Sequence, residues 1–280
     1  MADPMNPKVS VIVPAYNERR YMTQCIQALL VQTDRPLEIV VVDDGSRDGT
    51  TRAVARFPDV RLVRQPHLGA AAARNLGVSR STGDILVFVD ADMACSQAFV
   101  EHLVAPMIER GAVGTFTKEI RPGNGHRWWA RAHQIGRGFP VESHFPPDFP
   151  DRWVNFRAAW RADFLRVGGF DQIGYGEDVT LGKKLGTLAE AAPGAAVEHF
   201  EPDTFTEVLS TARWYGRGER IKEYPRWTKK RPAWRQAALP FLSAAAVAKR
   251  NRMPPLFIYR IVWELGVTYG WLTRGRGSAK

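Results

Sequence analysis

Only two of the 280 residues are cysteine, Cys25 and Cys95. That excludes a disulfide framework and gives no zinc-ligand spacing; both read as small apolar core residues in a reducing compartment. No apolar run reaches the ~20 residues that a membrane-spanning helix needs. The nearest, Leu256 to Leu272, is interrupted by Arg260 and Glu264. Two glycine patterns are missing as well. There is no Gly-x-x-x-x-Gly-Lys-Ser/Thr, and no Gly-x-Gly-x-x-Gly follows the first strand, which argues against a P-loop and a dinucleotide fingerprint. No internal repeat is present. Met1 to Lys8 is short and polar without a signal-peptide pattern, so the expectation is a cytoplasmic protein. Acidic residues are scarce at one end: residues 213–280 hold 16 Lys and Arg against 3 Glu, whereas residues 1–212 hold 23 against 26. The whole formal excess of +10 therefore sits in the last quarter, which calls for an anionic partner.

What is there alternates. Val9–Val13, Leu37–Val42, Val60–Val63 and Ile85–Val89 read as short, continuously apolar strands. Between them, Arg19–Gln32, Ser46–Phe57 and Gly69–Ser79 read as helices. Apolar strands separated by helices predict an α/β fold with a mostly parallel, Rossmann-like sheet covered on both faces. Residues 121–150 mix Gly, Pro, His and aromatics without a period and are expected to form a functional loop or lid. In that loop, Trp128-Trp129 reads either as a substrate platform or as a helix anchor. Regular structure resumes from Trp153, and Phe205–Glu219 looks helical.

The chemistry gathers at strand ends. Asp90-Ala91-Asp92 closes the fourth strand: two carboxylates one residue apart suit a hard divalent cation such as Mg²⁺, which leaves positions open for phosphate oxygens. Pro14-Ala15-Tyr16-Asn17-Glu18 follows strand one, Asp43-Asp44-Gly45-Ser46 strand two, and the Gly69-to-Asn75 segment strand three. A parallel sheet brings all four to one edge, where α/β sites lie. Tyr16 is expected against a nucleobase, Asp43 as acceptor for a base N–H, and Arg74 on a ring carbonyl or phosphate. Each has a bland reading as cap, turn or backbone relief; four together are harder to explain that way.

These segments, with Val11-Ile12-Val13 ahead of the first and Ala73-Arg74-Asn75-Leu76-Gly77 in the third, resemble the signatures of the family 2 glycosyltransferases over about residues 8–220. The resemblance implies a GT-A fold and an inverting, metal-dependent transfer from a nucleoside-diphosphate sugar. It implies that Asp43, with Asp44, reads the base, and that Asp92, with Asp90 nearby, holds Mn²⁺ or Mg²⁺ and the donor, with Pro14, Ala15, Tyr16, Glu18, Arg74 and Ala91 around it. Gly168-Gly169-Phe170-Asp171 and Gly176-Glu177-Asp178 resemble the acceptor-side segment, with Asp178 as general base and Gly169, Glu177 and Trp128 on the acceptor side. His199 matches the position of a third metal ligand. Two departures stand out. Thr180 replaces a frequent second acidic residue, and Ser210 stands where processive synthases have Gln before Arg213-Trp214, which argues against processive synthesis. Arg213 and Arg217 remain expected diphosphate contacts or solvated helix charges.

The expected organisation is a transferase domain over residues 1–220, its nucleotide-sugar half at 8–118 and acceptor half at 119–220, followed by a basic, aromatic helical tail at 221–280. Prolines at 225, 232, 240, 254 and 255 divide that tail. Arg260, Glu264 and Thr268 make a polar stripe on an otherwise apolar helix, which suits a membrane interface better than docking on the domain. A lipid-linked or membrane-proximal glycan acceptor in envelope or polysaccharide synthesis, at the cytoplasmic face, follows as the expectation, and no nucleic acid is expected. The alternatives are an inactive nucleotide-binding relative and a nucleotidyltransferase.

Overall fold

A computed structural model of the chain describes residues 7–34, 36, 38–174, 176–217 and 256–273. Leu37, Glu219, Leu239–Ala248 and the prolines of the tail lie outside the described residues. The chain runs β1 (Val9–Ala15), α1 (Arg19–Leu30), β2 (Glu38–Asp43), α2 (Thr50–Val54), β3 (Val60–Arg64), α3 (Ala70–Ser79), β4 (Ile85–Phe88), β5 (Met93–Cys95), α4 (Phe99–Arg110), β6 (Gly114–Phe116), β7 (Ile120–Pro122) and α5 (Trp128–Gly136). Then come β8 (Arg152–Trp153), β9 (Ala158–Trp160), α6 (Arg161–Arg166), a 3-10 turn (Glu177–Val179), α7 (Thr180–Leu185), β10 (Ala189–Ala191), β11 (Val197–His199), α8 (Phe205–Arg217) and α9 (Leu256–Leu272).

Eight strands form the main sheet in the order β3-β2-β1-β4-β9-β6-β10-β8. The first four are parallel, and β9 enters antiparallel between β4 and β6. Alternation along β1 explains the two covered faces. Val11 and Val13 enter a core with Met22, Ile26 and Leu29 of α1 and Leu103 of α4, while Ile12 packs with Ala73 and Val78 of α3 on the other side. The connection from β3 returns across the sheet to β4 beside β1, so the order reverses between β1 and β4. A ligand crevice is expected at such a switch point.

Three expectations change. The helix read over 46–57 shortens to Thr50–Val54, because Ser46 and Asp48 accept hydrogen bonds from the backbone of the β1 loop instead. The 121–150 segment contains β7 and α5. Its periodicity is hidden because α5 buries His133 and Gln134 on its inner face with two alanines. The helix at 256–272 docks one face on α8 and α5, burying Tyr259, Val262 and Trp263, whereas a membrane interface was expected for it. Gly216, Gly266 and Gly270 allow that contact, since a Cβ at any of them would overlap α8 or α9. Arg260 of the polar stripe turns to Glu264 at 2.7 Å and to the Gly136 carbonyl at 3.3 Å.

Gly77 shows how closely α3 lies on the sheet: a Cβ there would collide with Ile12 and press on Val42, both fully buried and β-branched. In an exposed helix, Gly→Ala gains about 1 kcal/mol. Here we expect Gly77→Ala to reverse that sign and cost about 1–3 kcal/mol through overpacking, read by urea unfolding.

Candidate functional site

At the ends of β1 and β2 the two loops are zipped together. Asn17, in the left-handed region at φ 58°, donates its N–H to Ser46 Oγ and accepts from Arg47 N at 2.8 Å; Glu18 N donates to Thr50 Oγ1 at 2.8 Å. Small polar residues after each strand make this possible, and the result leaves Tyr16 exposed at the sheet edge. Its ring stacks on His67 at 3.9 Å between centroids, an aromatic face open to solvent. Asp44 fixes His67 there. It is buried and accepts from Gln65 Nε2 (2.6 Å), the Leu68 and Gly69 amides (2.8 and 2.9 Å) and faces His67 Nδ1 at 2.8 Å. With four partners on its carboxylate, Asp44 orders the loop that carries His67. Asp43 is fully buried and accepts from the Ser46 amide and the Thr51 hydroxyl; burial raises its carboxyl, but these hydrogen bonds win and hold it below the ordinary carboxylate range.

Next to this platform lies a buried ion network. Arg74, expected on a base or phosphate, instead bridges Asp90 Oδ1 at 2.7 Å and Glu177 Oε1 at 2.6 Å. Asp90 Oδ2 takes Arg157 Nη1 at 2.7 Å. Against the cost of burial, the two guanidiniums hold Asp90 far below the usual range, and both its oxygens are engaged. In the described structure Asp90 anchors two arginines. Asp178 sits in the 3-10 turn beyond Glu177. Asn155 Nδ2 donates to its Oδ2 at 2.5 Å, while its buried Oδ1 has no hydrogen-bond partner among the described residues. Burial, with Glu177 adding repulsion, pushes the Asp178 carboxyl up to about 6.

Asp92 differs from Asp90. Its Oδ1 is buried without a hydrogen-bond partner among the described residues, and its Oδ2 lies 3.5 Å from His199 Nε2. A small sheet of β5, β11 and β7 makes this meeting: β11 pairs antiparallel with β5, placing His199 opposite Met93, and Phe200 N donates to the Asp92 carbonyl at 2.8 Å. Burial raises Asp92, with Asp90 adding repulsion, and burial with Asp92 raises Glu18 well above its ordinary value. Although burial opposes it, Asp92 and Glu201 push the His199 imidazole up to about 9. An orphaned carboxylate oxygen, an imidazole 3.5 Å from its partner oxygen and a second carboxyl held near its neutral form by burial and by Asp92 are a donor set that fits a divalent cation.

The other expected residues serve as frame. Pro14 is half-buried in β1, and Ala15 and Ala91 are buried, the Ala15 carbonyl accepting from Asp44 N. Gly169 has φ 68° and crowds Asn75, whose side chain clamps the Phe170 amide and carbonyl. Thr180 Oγ1 accepts from Asp171 N and donates to the Glu177 carbonyl. Trp128 lies edge-on to Trp129 on α5. Arg213 and Arg217 are exposed on α8, and the Arg213 guanidinium sits 4.7 Å over the Tyr269 ring of α9, not among the carboxylates. Sequence reasoning missed His67, Asn155, Arg157 and Glu201. Only Glu201, two residues past His199, had a local cue.

Residues 10–168 match the sequence model of Glycosyl transferase family 2. Glycosyltransferase GlyA of Streptococcus pneumoniae serotype 4 is 35% identical over 109 residues, 38% of this chain and 16% of that protein. The chain spans well under half the length of the curated relatives it matches. Among solved structures, S. aureus TarS 1–349 in complex with UDP-GlcNAc aligns with TM-score 0.57 at 17% identity, covering 95% of this chain and 91% of that one. The mannosyltransferase PcManGT from Pyrobaculum calidifontis, in complex with GDP-Man and Mn²⁺, aligns with TM-score 0.55 at 22% identity, covering 96% and 89%. At such identity these structures establish the GT-A fold.

Arg74→Met removes the shared cation and leaves Glu177 buried opposite Asp178. We expect a loss of about 3–5 kcal/mol near neutral pH in chemical unfolding. The deficit shrinks as pH falls below about 4, because the unfolded chain then binds a proton at Asp90 that the folded wild type, with this carboxyl held far below its ordinary range, does not.

Proposed function

The chain belongs to glycosyl transferase family 2, and on that premise we propose that it moves a sugar from a nucleoside-diphosphate sugar to an acceptor hydroxyl with inversion at the anomeric carbon. The observation that carries the reading is Asp178: a carboxyl with one free buried oxygen, raised to about 6, beside the network that ends at Asp90. Asp178 takes the acceptor proton as the hydroxyl oxygen bonds to the anomeric carbon and the bond to the diphosphate oxygen breaks. A single displacement inverts the configuration. Asn155 holds the carboxylate in place, and Arg74 and Arg157 keep Asp90 ionised so that it does not compete for the proton.

The Tyr16–His67 stack is the face for the base, with Asp43 as acceptor for a base N–H. Asp92 and His199, with Glu18 beside them, would hold Mn²⁺ or Mg²⁺, which when bound offsets charge on the departing diphosphate. That the mannosyltransferase neighbour is described with Mn²⁺ and GDP-Man supports this class of donor and ion. For the acceptor, the outer face of α9 supports a lipid-linked or membrane-proximal glycan of the cell envelope. Ile258, Leu265, Trp271 and Leu272 are exposed there, in the quarter of the chain that carries the positive excess. No helix of the described residues is long and apolar enough to cross a membrane.

Two measurements decide. With a panel of nucleotide sugars and Mn²⁺, we expect Asp178→Asn to lower transfer about 10²–10⁴-fold. The wild-type rate should rise through about pH 6 as Asp178 loses its proton; a flat profile between pH 5 and 7 would remove it as the base. Because its folded carboxyl holds the proton above the unfolded value, Asp178 contributes stability that is lost as pH rises through about 6. The Asn variant should therefore melt no lower than wild type at pH 8. For the acceptor, Leu265→Ser with Leu272→Ser should lower co-sedimentation with anionic vesicles about tenfold, and unchanged binding would remove the membrane-proximal reading.

A further inference from the structure

Behind His199 the side chains continue inward. Glu201 is buried, and its Oε1 lies 3.0 Å from His199 Nδ1 and 2.5 Å from His144 Nε2. Its Oε2 lies 3.5 Å from His133 Nε2 on α5. His133 Nδ1 in turn meets the hydroxyl of Tyr259 on α9 at 3.1 Å, in the buried cluster under that helix. The backbone of Glu201 is fixed too: Asn124 Nδ2 donates to its carbonyl at 2.7 Å, and its amide donates to Asn124 Oδ1 at 2.9 Å. Apart from His199, none of these residues has a role in the chemistry above, and Tyr259 lies beyond the segment that matches the family.

A carboxylate only accepts. An imidazole nitrogen facing it must carry the proton, and the opposite nitrogen of a neutral ring then keeps its lone pair. Facing Glu201, His199 keeps its Nδ1 proton, so when the ring gives up its other proton to an incoming cation it is Nε2, on the Asp92 side, that presents the lone pair. His133 is in contact with Glu201 by charge and not by a hydrogen bond: its Nε2 lies 3.5 Å from Glu201 Oε2, which has no hydrogen-bond partner among the described residues, while its Nδ1 meets the Tyr259 hydroxyl at 3.1 Å.

We propose that Glu201 is a positioning residue that fixes His199 in the tautomer able to bind the cation, and that Tyr259, through His133, builds the C-terminal helix α9 into the metal centre. This rests on the reading of Asp92 and His199 as ligands. Carboxylates behind metal-binding histidines are worth about 10–100-fold in affinity.

The test is Mn²⁺ binding to the purified full chain, by calorimetry and by loss of the free-ion EPR signal, in wild type, His199→Ala, Glu201→Gln and Tyr259→Phe. Side-chain ¹⁵N shifts of the metal-free proteins, recorded above about pH 9 where the ring is neutral, report the His199 tautomer. The proposal expects Glu201→Gln to weaken Mn²⁺ about 10–100-fold and to shift His199 away from the Nδ1–H form. Tyr259→Phe, which removes one oxygen and keeps the packing, should weaken it about 3-fold and move the His133 signal. Wild-type affinity in both variants, with binding lost in His199→Ala, overturns the proposal and leaves the metal ligands standing. A wild-type protein that binds no Mn²⁺, or binds it equally after His199→Ala, overturns the ligand reading and this proposal with it. If Glu201→Gln does not fold, Tyr259→Phe alone decides, wild-type affinity and an unmoved His133 signal counting against.

Discussion

Buried and half-buried carboxylates at one edge of a sheet are the constraint on which the rest of this structure depends. Glu18, Asp90, Asp92, Glu177 and Asp178 gather where the order reverses between β1 and β4, and a partly dehydrated edge cannot hold that much negative charge unpaired. The chain answers differently for each. Arg74 and Arg157 neutralise Asp90 and Glu177 with short ion pairs. Asp178 keeps one free oxygen and is raised. Asp92 is left facing His199, with Glu18 close enough to be raised by the Asp92 charge, an arrangement that suits a divalent cation. One fold thus gives the same chemical group three different surroundings, and neighbours decide what a carboxyl does.

Those neighbours come from distant segments. The insertion of β9 antiparallel beside β4 brings Arg157 and Asn155 to the strand edge. The three-stranded sheet brings His199 to Asp92, and β7 carries the chain that leads to His144, whose amide donates to the Ile120 carbonyl. Both devices are short strands of three residues each. The C-terminal helix adds a third layer, closing over α5 and α8 through glycine contacts and Tyr259.

The strands β1 to β4 and helices α1 and α3 were legible because their apolar periods are clean and their ends carry turn residues. The motif around Arg74 was legible as a motif but not in its action. Ala73 and Gly77 serve the packing of α3, Asn75 clamps Phe170, and Arg74 joins two carboxylates 16 and 103 residues away. The helix α5 was not legible, since burying His133 and Gln134 erases the contrast between its faces. The docking of α9 was hidden for the opposite reason: it is apolar nearly all round, so no pattern marks the side that packs.

By itself the sequence determined the α/β alternation, the family, and the set of acidic segments that meet at one sheet edge. These follow from local period and from the rule that parallel strands share their C-terminal edge. Which carboxylate is neutralised and which stays free was decided only by tertiary structure. Asp90 and Asp92 are two residues apart and chemically identical; packing gives one of them two guanidiniums and the other an imidazole. That difference lies in distances between segments a hundred residues apart, and no local pattern encodes it.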